Sequence, residues 1–403
     1  MFIYFKNRID IHTTNSVQGY APIEFHIPGS DGVYYDLNDT CLYVKCKISQ
    51  ADPAKALVVG EVGPVNLLLS SLFSDIELKL NDTHIDGGDH AYSYIAYLNT
   101  ILNFTRNVKD TQLRAAGYMY DEPGKFDSKD NVAYTKRSKW IKNEIEVAGA
   151  LHLLLFQQSK YLLPGVNVFL KFIRNKEEFV IMDFGANPAK LEILSMILYT
   201  RRVTVIPAGL KGHEDGLLKS NTLYPVHKHR VNTYTLAIGS TTDSREILIG
   251  SQTPKLVVVG FVENDAYNGN LLKSPFNFQH FNLTSITLMK NGVPIPYPTL
   301  HMDFAKDNYL TAYIMALQNL GMGLNDHTND ITMKDFSNGS TLFVYNLAAD
   351  LEIGGGCTQP VQFCNLRLDL NFGKALKQSI NVIVFSVYDQ TIEITKSRTI
   401  LVK

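Results

Sequence analysis

The residues whose types and spacing come closest to a reactive site are two histidines in the pattern His-x-His, His227 and His229. In metalloenzymes built from two cupin domains, such a pair is followed within a few residues by a glutamate and later by another histidine, which complete the ligand set. Here the next glutamate is Glu246, and the first half of the chain lacks such a pair. The spacing therefore favours histidines at a strand edge or in solvent over metal ligands.

Two other short motifs could bind phosphate. The run Gly354-Gly-Gly356 lacks the Lys-Ser/Thr pair and the helix that follow a phosphate-binding glycine loop, which favours a flexible hairpin connection. The run Lys136-Arg-Ser-Lys139 could be a phosphate or targeting patch, but an ordinary solvated loop has the same composition. No Gly-x-Ser-x-Gly motif occurs, and no recognisable pattern pairs a serine or cysteine with a histidine and an acid. We therefore predict no catalytic, cofactor-binding or metal-binding residue, and no enzyme.

The four cysteines, Cys41, Cys46, Cys357 and Cys364, show no C-x-x-C spacing. No apolar run reaches the 18 or so residues of a transmembrane helix, and Met1 to Lys6 is too short an apolar run for a signal peptide. Without a signal peptide a reducing compartment is the default, and disulfides are rare there. We expect no membrane span, and free thiols that are buried or half-buried.

The composition limits both the fold and the partners. Hydrophobic residues make up 45% of the 403 residues and charged residues 19%, so the chain is not disordered. Lys and Arg number 38, Asp and Glu number 39, and neither end carries a basic tail. Strong direct binding of nucleic acid needs an excess of cationic side chains, so we do not expect it. The 21 Tyr and 21 Phe favour β-structure.

An element of strand, polar turn and helix organises the chain. In the strand at 75–80, apolar and charged residues alternate, which gives one apolar and one wet face. After turn-prone residues at 86–89, a helix is predicted by an apolar stripe at helical spacing. The members of this stripe are Tyr94, Tyr97, Leu98, Ile101 and Leu102. We expect the stripe to lie in a core.

The same element returns about half a chain later. Its strand lies at 285–290, an offset of 210 from the first copy, and its helix follows at an offset of 216. Upstream, Pro64–Leu67 matches Pro275–Phe278 at an offset of 211. The second helix carries the stripe Leu310, Tyr313, Ile314 and Leu317. Since solenoid units run only about 20 to 50 residues, this repeat predicts two similar domains in tandem.

Further apolar patterns predict a β-sandwich in each half. The run Cys41–Ile48 alternates, which is typical of a half-buried strand, whereas Lys255–Val262 is almost continuously apolar and should be buried on both faces. Each half offers six to eight such strands and one good helix, which is too few helices for alternating βαβ units. Antiparallel β-sandwiches are therefore the expected class.

The predicted boundaries divide the chain into four parts. Residues 1–19 are an irregular N-terminal arm, 20–206 the first domain, 207–223 a linker and 224–403 the second domain. We expect the first strand at 22–27, a strand at 151–156 that corresponds to 342–346, and a last strand at 380–394. The polar stretch 120–139 is predicted to be a long loop, either disordered or facing a partner.

Eight short runs carry a further signal: Val62–Leu67, Ser71–Ser74, Leu80–Asp82, Tyr94–Leu98, Gly149–His152, Val262–Gly269, Ser274–Phe278 and Asn365–Leu368. In this order and spacing they resemble the major capsid proteins of Polinton (Maverick) elements and adintoviruses, over about Pro22 to Val402. That family is similar to the hexon-type capsid proteins of double-stranded DNA viruses. The resemblance implies an all-β fold of two tandem eight-stranded antiparallel jelly rolls, a double jelly roll, with short inserted helices.

The resemblance also implies a function. It indicates a structural major capsid protein whose homotrimers are the pseudo-hexameric capsomers of an icosahedral double-stranded DNA virus shell. The implied partners are the chain itself, neighbouring capsomers and a penton or minor capsid protein. The implied location is the virion capsid, assembled inside the host cell.

Two alternative functions stay open. A two-jelly-roll protein that binds or processes glycans is one, because exposed Tyr and Phe on a β-sandwich can stack on sugars. A double-cupin enzyme is the other. Particle size, saturable sugar binding and bound metal distinguish the three hypotheses.

We predict that the purified protein carries no stoichiometric transition metal, because neither half has a ligand set of the right spacing. Elemental analysis after gel filtration measures this directly. One tightly held metal per chain that follows the folded protein would favour the double-cupin alternative. His227 and His229 would then be the first residues to substitute.

Overall fold

The chain is described from a computed structural model, which defines residues 3–50, 52, 56–185, 188–323, 328–348 and 361–403. The strands of the first half are β1 (Ile3–His12), β2 (Ile23–Ile27), β3 (Val33–Gln50), β4 (Val62–Pro64), β5 (Phe73–Leu80), β6 (Thr83–Asp86), β7 (Ile145–Ala150), β8 (Val168–Arg174), β9 (Ile181–Asp183) and β10 (Ala189–Val205). Those of the second half are β11 (Thr222–Leu236), β12 (Thr242–Gln252), β13 (Leu256–Glu263), β14 (Leu283–Lys290), β15 (Val293–Pro294), β16 (Leu300–His301), β17 (Leu342–Asn346), β18 (Phe363–Phe372), β19 (Ile380–Ile394) and β20 (Ile400–Val402). The helices are α1 (Leu68–Ser71), α2 (Tyr92–Asn103), α3 (Arg106–Asp110), α4 (Val132–Ser138), α5 (Glu177–Val180), α6 (Pro207–Leu217), α7 (Asn264–Asn268), α8 (Leu310–Asn319) and α9 (Met333–Ser337).

Both halves have the same sheet architecture. In the first half the two four-stranded orders are β1-β10-β3-β7 and β2-β8-β5-β6, and in the second they are β11-β19-β13-β17 and β12-β18-β14-β15. Within the described residues every ladder between these strands is antiparallel and joins strands of one half. Two such sheets make an eight-stranded jelly roll. The predicted double jelly roll with short inserted helices is therefore confirmed.

The alternation of apolar side chains explains how the sheets cover their cores. In β3, Leu42, Val44 and Cys46 are buried while Lys47 between the core positions is exposed, as the alternating pattern predicted. In contrast, β13 is buried at all but its last residue, as its apolar run predicted. When both faces of a sheet are covered, a central strand has no solvent-exposed face and is apolar on both sides.

The repeated element lies where it was predicted in both halves. Strands β5 and β14 occupy the same place in their sheets. Helix α2 follows β6 and precedes β7, and helix α8 follows β16 and precedes β17. The two helices are therefore corresponding insertions in the two jelly rolls.

The prediction of an irregular N-terminal arm is wrong, because residues Ile3–His12 form β1 and pair with β10. This edge strand takes the place in the first jelly roll that β11 takes in the second. Ile9 and Ile11 pack against the core, while the alternate residues Asp10 and His12 are exposed. The alternation is weak in the sequence because polar residues interrupt it and only one face of the strand meets apolar neighbours. The first jelly roll begins with β1 and not at 22–27.

Three other boundaries need correction. The apolar run 151–156 is buried but is no strand; the strand that corresponds to β17 is β7, which ends one residue earlier. A buried apolar run looks the same in sequence whether or not it joins a ladder, and this explains the error. The predicted linker holds helix α6, and β11 already begins within it. The last strand is β20, which pairs with the end of β19.

The polar stretch 120–139 is neither a solvated loop nor a phosphate patch, because it contains α4 and a buried ion pair. Arg137 is 1% exposed, and its guanidinium lies 2.9 Å from the Asp121 carboxylate. Asp121 also accepts hydrogen bonds from Asn66 at 2.8 Å and Asn131 at 2.9 Å, and Arg137 Nε donates to the Pro64 carbonyl at 3.1 Å. A buried charge is tolerated when it is paired and hydrogen-bonded in this way. The network ties the stretch to the chain that leads into α1.

We predict that Arg137→Ala lowers the free energy of unfolding by about 3–5 kcal/mol, because it leaves the Asp121 carboxylate buried without its cation. Denaturant unfolding at a fixed protein concentration measures the change. The neighbouring exposed lysines provide matched controls, since Lys136→Ala and Lys139→Ala remove the same charge from the surface. Each control should change stability by no more than about 0.5 kcal/mol. Equal effects at all three positions would contradict the prediction.

Candidate functional site

The candidate site is the seam between the two jelly rolls, where α2 of the first meets Pro275–Phe278 of the second. Tyr97 stacks on Phe276 with ring centroids 4.1 Å apart and an interplanar angle of 5°. Tyr94 meets Phe276 edge-on at 5.7 Å and donates its hydroxyl to the Pro275 carbonyl at 3.0 Å. Phe278 lies 6.2 Å from Tyr97. We call Tyr94, Tyr97, Phe276 and Phe278 the aromatic seam; all four are buried.

The composition of α2 explains why it lies between two domains. Ten of its twelve residues are buried. A helix that is apolar on nearly all sides needs partners on more than one face. Its own half supplies α1 and β5, where Ser93 Oγ donates to the Phe73 carbonyl at 2.7 Å. The second half supplies β11 and the aromatic seam.

Hydrogen bonds from the connection after α2 surround the aromatic seam. The Asp127 carboxylate accepts from the Ser274 backbone N–H and from Asn277 Nδ2, both at 2.7 Å. The Tyr120 hydroxyl donates to Asp335 at 2.5 Å. Lys109 Nζ donates to the Asn329 carbonyl at 2.8 Å. The polar stretch that was expected to face solvent or a partner therefore binds the second jelly roll of its own chain.

Burial changes the pKa values of these groups. It raises the pKa of the Asp127 carboxyl, although the hydrogen bonds from Ser274 and Asn277 oppose the shift. It lowers the pKa of Lys109 to about 8. It also raises the pKa of the Tyr94 and Tyr97 hydroxyls well above the usual value. Each shift has the sign expected when a charged form loses water, and the tyrosines act as neutral packing groups.

A cleft of about 710 Å³ opens beside α2 and is lined by both halves. His152 of the first half lines it, together with His229 of the second, whose ring stacks on Phe385 at 5.5 Å and lies 3.3 Å from Asn99 Nδ2. Loss of hydration lowers the pKa of His152 to about 4. The same cause, together with the neighbouring histidines, lowers the pKa of His229 to about 3. Both rings are neutral at pH 7.

The two histidines considered as metal ligands lie on the edge strand β11. His227 Nδ1 is 3.1 Å from Asp389, which also pairs with Lys255 at 3.1 Å. Burial alone would raise the pKa of the Asp389 carboxyl, but its bonds to His227 and Lys255 hold it below the usual value. In the described part of the chain no group of three or more His, Cys, Asp or Glu could hold a metal ion. Both histidines are therefore residues of an edge strand: His227 belongs to an ion-pair cluster, and His229 lines the cleft.

Three of the four cysteines are described, and all three are free thiols as predicted: Cys41 is half-buried, and Cys46 and Cys364 are buried. Burial raises the pKa of Cys46 to about 12, so this thiol is inert. Cys357 and the run Gly354–Gly356 lie outside the described residues. Across the described ranges, no helix has both the length and the apolarity to cross a membrane.

The sequence contained both sides of the aromatic seam but did not join them. The stripe on α2 and the match between Pro64–Leu67 and Pro275–Phe278 were both recognised. The overlooked signal is a difference between the two copies, since Val65 and Leu67 of the first correspond to Phe276 and Phe278 of the second. Large rings replace aliphatic side chains where the segment packs on another domain.

The prediction that the helical stripes lie in a core is wrong for the second helix, α8. Leu310 is 50% exposed and Ile314 is 40% exposed, while Ala312 and Ala316 are buried. The helix lies against β17, and Tyr313 packs edge-on against Phe336 at 5.8 Å. A helix with apolar residues around most of its circumference has more than one face that can be buried, and periodicity alone does not select the face.

Exposed aromatic rings bear on the glycan alternative. In the described ranges, rings exposed by more than a third belong to Tyr20, Phe169 and Phe363. They lie in the loop before β2, in β8 and at the start of β18. Phe169 already stacks on His26 at 4.3 Å, and the Arg174 guanidinium lies 5.0 Å from the Tyr20 ring centre. These rings do not lie on a common strand or loop.

We predict that Phe276→Ala lowers the free energy of unfolding by about 3–5 kcal/mol, because it opens a cavity beside Tyr94 and Tyr97. Denaturant unfolding at a fixed protein concentration measures this loss. Phe363→Ala is the matched control, since the Phe363 ring is 69% exposed and its removal should cost no more than about 0.5 kcal/mol. If the two substitutions had equal effects, the aromatic seam would not hold the halves together.

We predict that stability falls as the pH is lowered from about 6.5 towards 4. His152 has a lower pKa in the folded protein than the value of about 6.5 in the unfolded chain, so protons bind the unfolded chain preferentially in this window. Thermal melts across this range measure the effect. His152→Gln should flatten the dependence, whereas the control His12→Gln, at an exposed position, should not. An identical pH profile for His152→Gln and the parent would contradict the assignment.

The chain has a relative among known proteins that is similar over nearly its whole length. No protein-family model matches the chain. Over 394 residues the chain is 24% identical to an uncharacterized protein of Caenorhabditis elegans, and the match covers 94% of this chain and 93% of that protein. The near-complete coverage on both sides means that the two chains align over both jelly rolls.

Several solved viral structures share this fold. A chain of the Sputnik virophage has a TM-score of 0.70 at 12% identity and covers 100% of this chain and 89% of its own. A chain of the PBCV-1 virus capsid has a TM-score of 0.62 at 11% identity, covering 100% and 97%. The faustovirus major capsid protein has a TM-score of 0.59 at 9% identity, covering 97% and 91%. The chain therefore has the double jelly-roll fold of the viral capsid proteins to which it is similar.

Proposed function

We propose that this chain is a structural major capsid protein of a double-stranded DNA virus shell. The observation that carries the proposal is the pairing of two jelly rolls with one strand order in a single chain, joined by the buried aromatic seam. The likeness to viral capsid proteins over nearly the whole chain supports it. The runs from Val62–Leu67 to Asn365–Leu368 favour a Polinton or adintovirus origin, with the hexon-like type of capsid protein.

The double fold has a geometric use in a shell. Three chains, each with two similar jelly rolls, present six similar corners, so a threefold trimer can occupy a hexagonal lattice position. Closed threefold symmetry requires a heterologous contact, in which one jelly roll of a chain meets the other jelly roll of the next. A rigid seam inside each chain keeps the six corners in fixed positions. The trimer is therefore the proposed capsomer, and its walls contact neighbouring capsomers.

We propose no reaction for this chain. The buried Arg137 and Asp121 pair and the Asp127 contacts hold parts of the fold together. The buried tyrosines of the aromatic seam are neutral packing groups. A shell protein needs stability and complementary surfaces, and these buried contacts contribute to its stability.

The proposal also names partners and a location. The chain binds itself first, then neighbouring capsomers and a penton or minor capsid protein, in a virion capsid assembled inside the host cell. With 38 basic and 39 acidic residues it has no charge excess for strong direct binding to the genome. The near balance of charge also limits repulsion between identical chains.

We predict that the native unit is a homotrimer. Light scattering coupled to size exclusion should give about three times the 45.2 kDa chain mass, unchanged on dilution to nanomolar concentration. This stability is expected because an obligate contact of this kind buries on the order of 2,000 Å² or more. Negative-stain imaging should show capsomers or shells.

A monomer at high concentration in every salt condition, with no particles in the images, would exclude the capsid function. If such a monomer bound sugars saturably, the glycan-binding alternative would take its place. A trimer that forms no shell on its own would agree with a need for the penton or minor protein.

A further inference from the structure

The outward face of α8 is an apolar surface that the chain leaves open. We call Leu310, Ile314 and the half-exposed Leu317 the α8 face, since they lie one helical turn apart. Leu310 is 50% and Ile314 40% exposed. Single exposed apolar residues are ordinary, but a contiguous row on a helix indicates a contact surface.

The internal repeat identifies what kind of contact this is. At the helix offset of 216, Leu310 corresponds to Tyr94 and Ile314 to Leu98. Tyr94 is 3% exposed and Leu98 is 1% exposed. The helices are corresponding insertions in two jelly rolls with the same strand order. The same face is therefore closed on one helix and open on the other.

The partner of the closed face belongs to the other jelly roll. Tyr94 and Tyr97 of α2 are covered by Pro275–Phe278 of the second half of the same chain. Each chain has a single Pro275–Phe278 segment, and this segment already packs on α2 of the same chain. A corresponding cover for α8 has to come from a first jelly roll, and the first jelly roll of the same chain leaves Leu310 and Ile314 exposed.

The first jelly roll has a surface that suits this role. Pro64–Leu67, which corresponds to Pro275–Phe278, is buried beneath α4, where Arg137 Nε bonds the Pro64 carbonyl. The residues that face outward around β4 include three exposed valines: Val58 at 58%, Val59 at 39% and Val132 at 49%. The bond from the Tyr134 hydroxyl to the Glu61 carbonyl at 2.9 Å holds α4 beside the residues that precede β4. We call Val58, Val59 and Val132 the β4 surface.

We propose that the α8 face of one chain docks on the β4 surface of a second copy of this chain. The inference rests on the proposed capsid function and names the surfaces of its subunit contact. Each chain carries one α8 face and one β4 surface, so the contact is heterologous and can close into a ring of three. Around such a ring, two contacts alternate. Inside each chain, α2 of the first jelly roll meets the second jelly roll; between chains, α8 of the second jelly roll meets the first jelly roll of the next copy.

The first experiment places charges on the α8 face in the full chain. The double variant Leu310→Asp with Ile314→Glu should fold, because both positions are exposed and a carboxylate at the first residue of a helix is favourable. The matched control is Leu272→Asp with Ile238→Glu, two other exposed apolar residues of the second half, at 53% and 65%. Light scattering gives the mass, and circular dichroism reports the fold.

The expected result is a fall from about three chain masses to one for the α8 variant, with the β-sheet spectrum retained and the control still trimeric. A trimeric parent with a trimeric α8 variant would overturn the docking inference and leave the capsid proposal standing. A control that dissociates as readily as the α8 variant would also overturn it. A parent that is monomeric would overturn the proposed function itself.

A cross-linking experiment covers the case in which the charged variant fails to fold. In a Cys41→Ser background, Ile314→Cys is combined with Val58→Cys or with Val132→Cys, and the protein is oxidised. At least one pair should give bands of two and three chain masses on a non-reducing gel, while each single cysteine variant should not. No cross-linked band from either pair, in a parent that is trimeric, would contradict the contact.

Discussion

The stacking of Tyr97 on Phe276 is the contact on which the arrangement of the two jelly rolls depends. No strand ladder joins the two halves within the described residues, so side chains supply most of the contact, beside single backbone bonds such as that from the Asp183 N–H to the Leu271 carbonyl at 2.7 Å. Rings of this size bury a large apolar area and have preferred offset or edge-on geometries, which fix orientation as well as affinity. With Tyr94, Tyr97, Phe276 and Phe278 all buried, the two domains form one body.

The polar connection from α3 to α4 stabilises that body in a different way. Asp127, Tyr120 and Lys109 each bond a backbone or side-chain group of the second half. Arg137 and Asp121 anchor the same connection to the first half. Because an unpaired buried charge costs several kcal/mol, alternative positions of this connection are disfavoured, and the halves have a defined register. Long connections in an all-β protein are often mobile, but this one is a structural element.

Two similar domains in one chain do not make the chain symmetric. The face of α2 is closed by the second half, while the corresponding face of α8 is open at Leu310 and Ile314. The contact between the halves therefore uses the face of one helix and leaves the face of the other open. A heterologous contact between copies can cover such an open face, and a closed ring of copies can cover it in every chain. The viral fold to which the chain is similar is consistent with that use.

The sequence by itself determined the class of fold, the repeat and the positions of its main elements. Alternation in Cys41–Ile48, the continuous apolar run of β13 and the offset near 210 all depend on local period, and local period is written in the order of residues. The double jelly roll came from the resemblance, and the sheet orders confirmed it.

Only the tertiary structure decided which faces are covered. Residues 3–12 form a strand because they pair with the edge of β10. Arg137 is buried as an ion because the Asp121 carboxylate, from an earlier part of the same connection, pairs with its guanidinium. The stripes on α2 and α8 have similar patterns, yet one is buried and the other half open. Burial depends on what lies opposite a residue in space, and the partner can be hundreds of residues away or in another chain. A periodic pattern describes one surface, whereas a contact requires two.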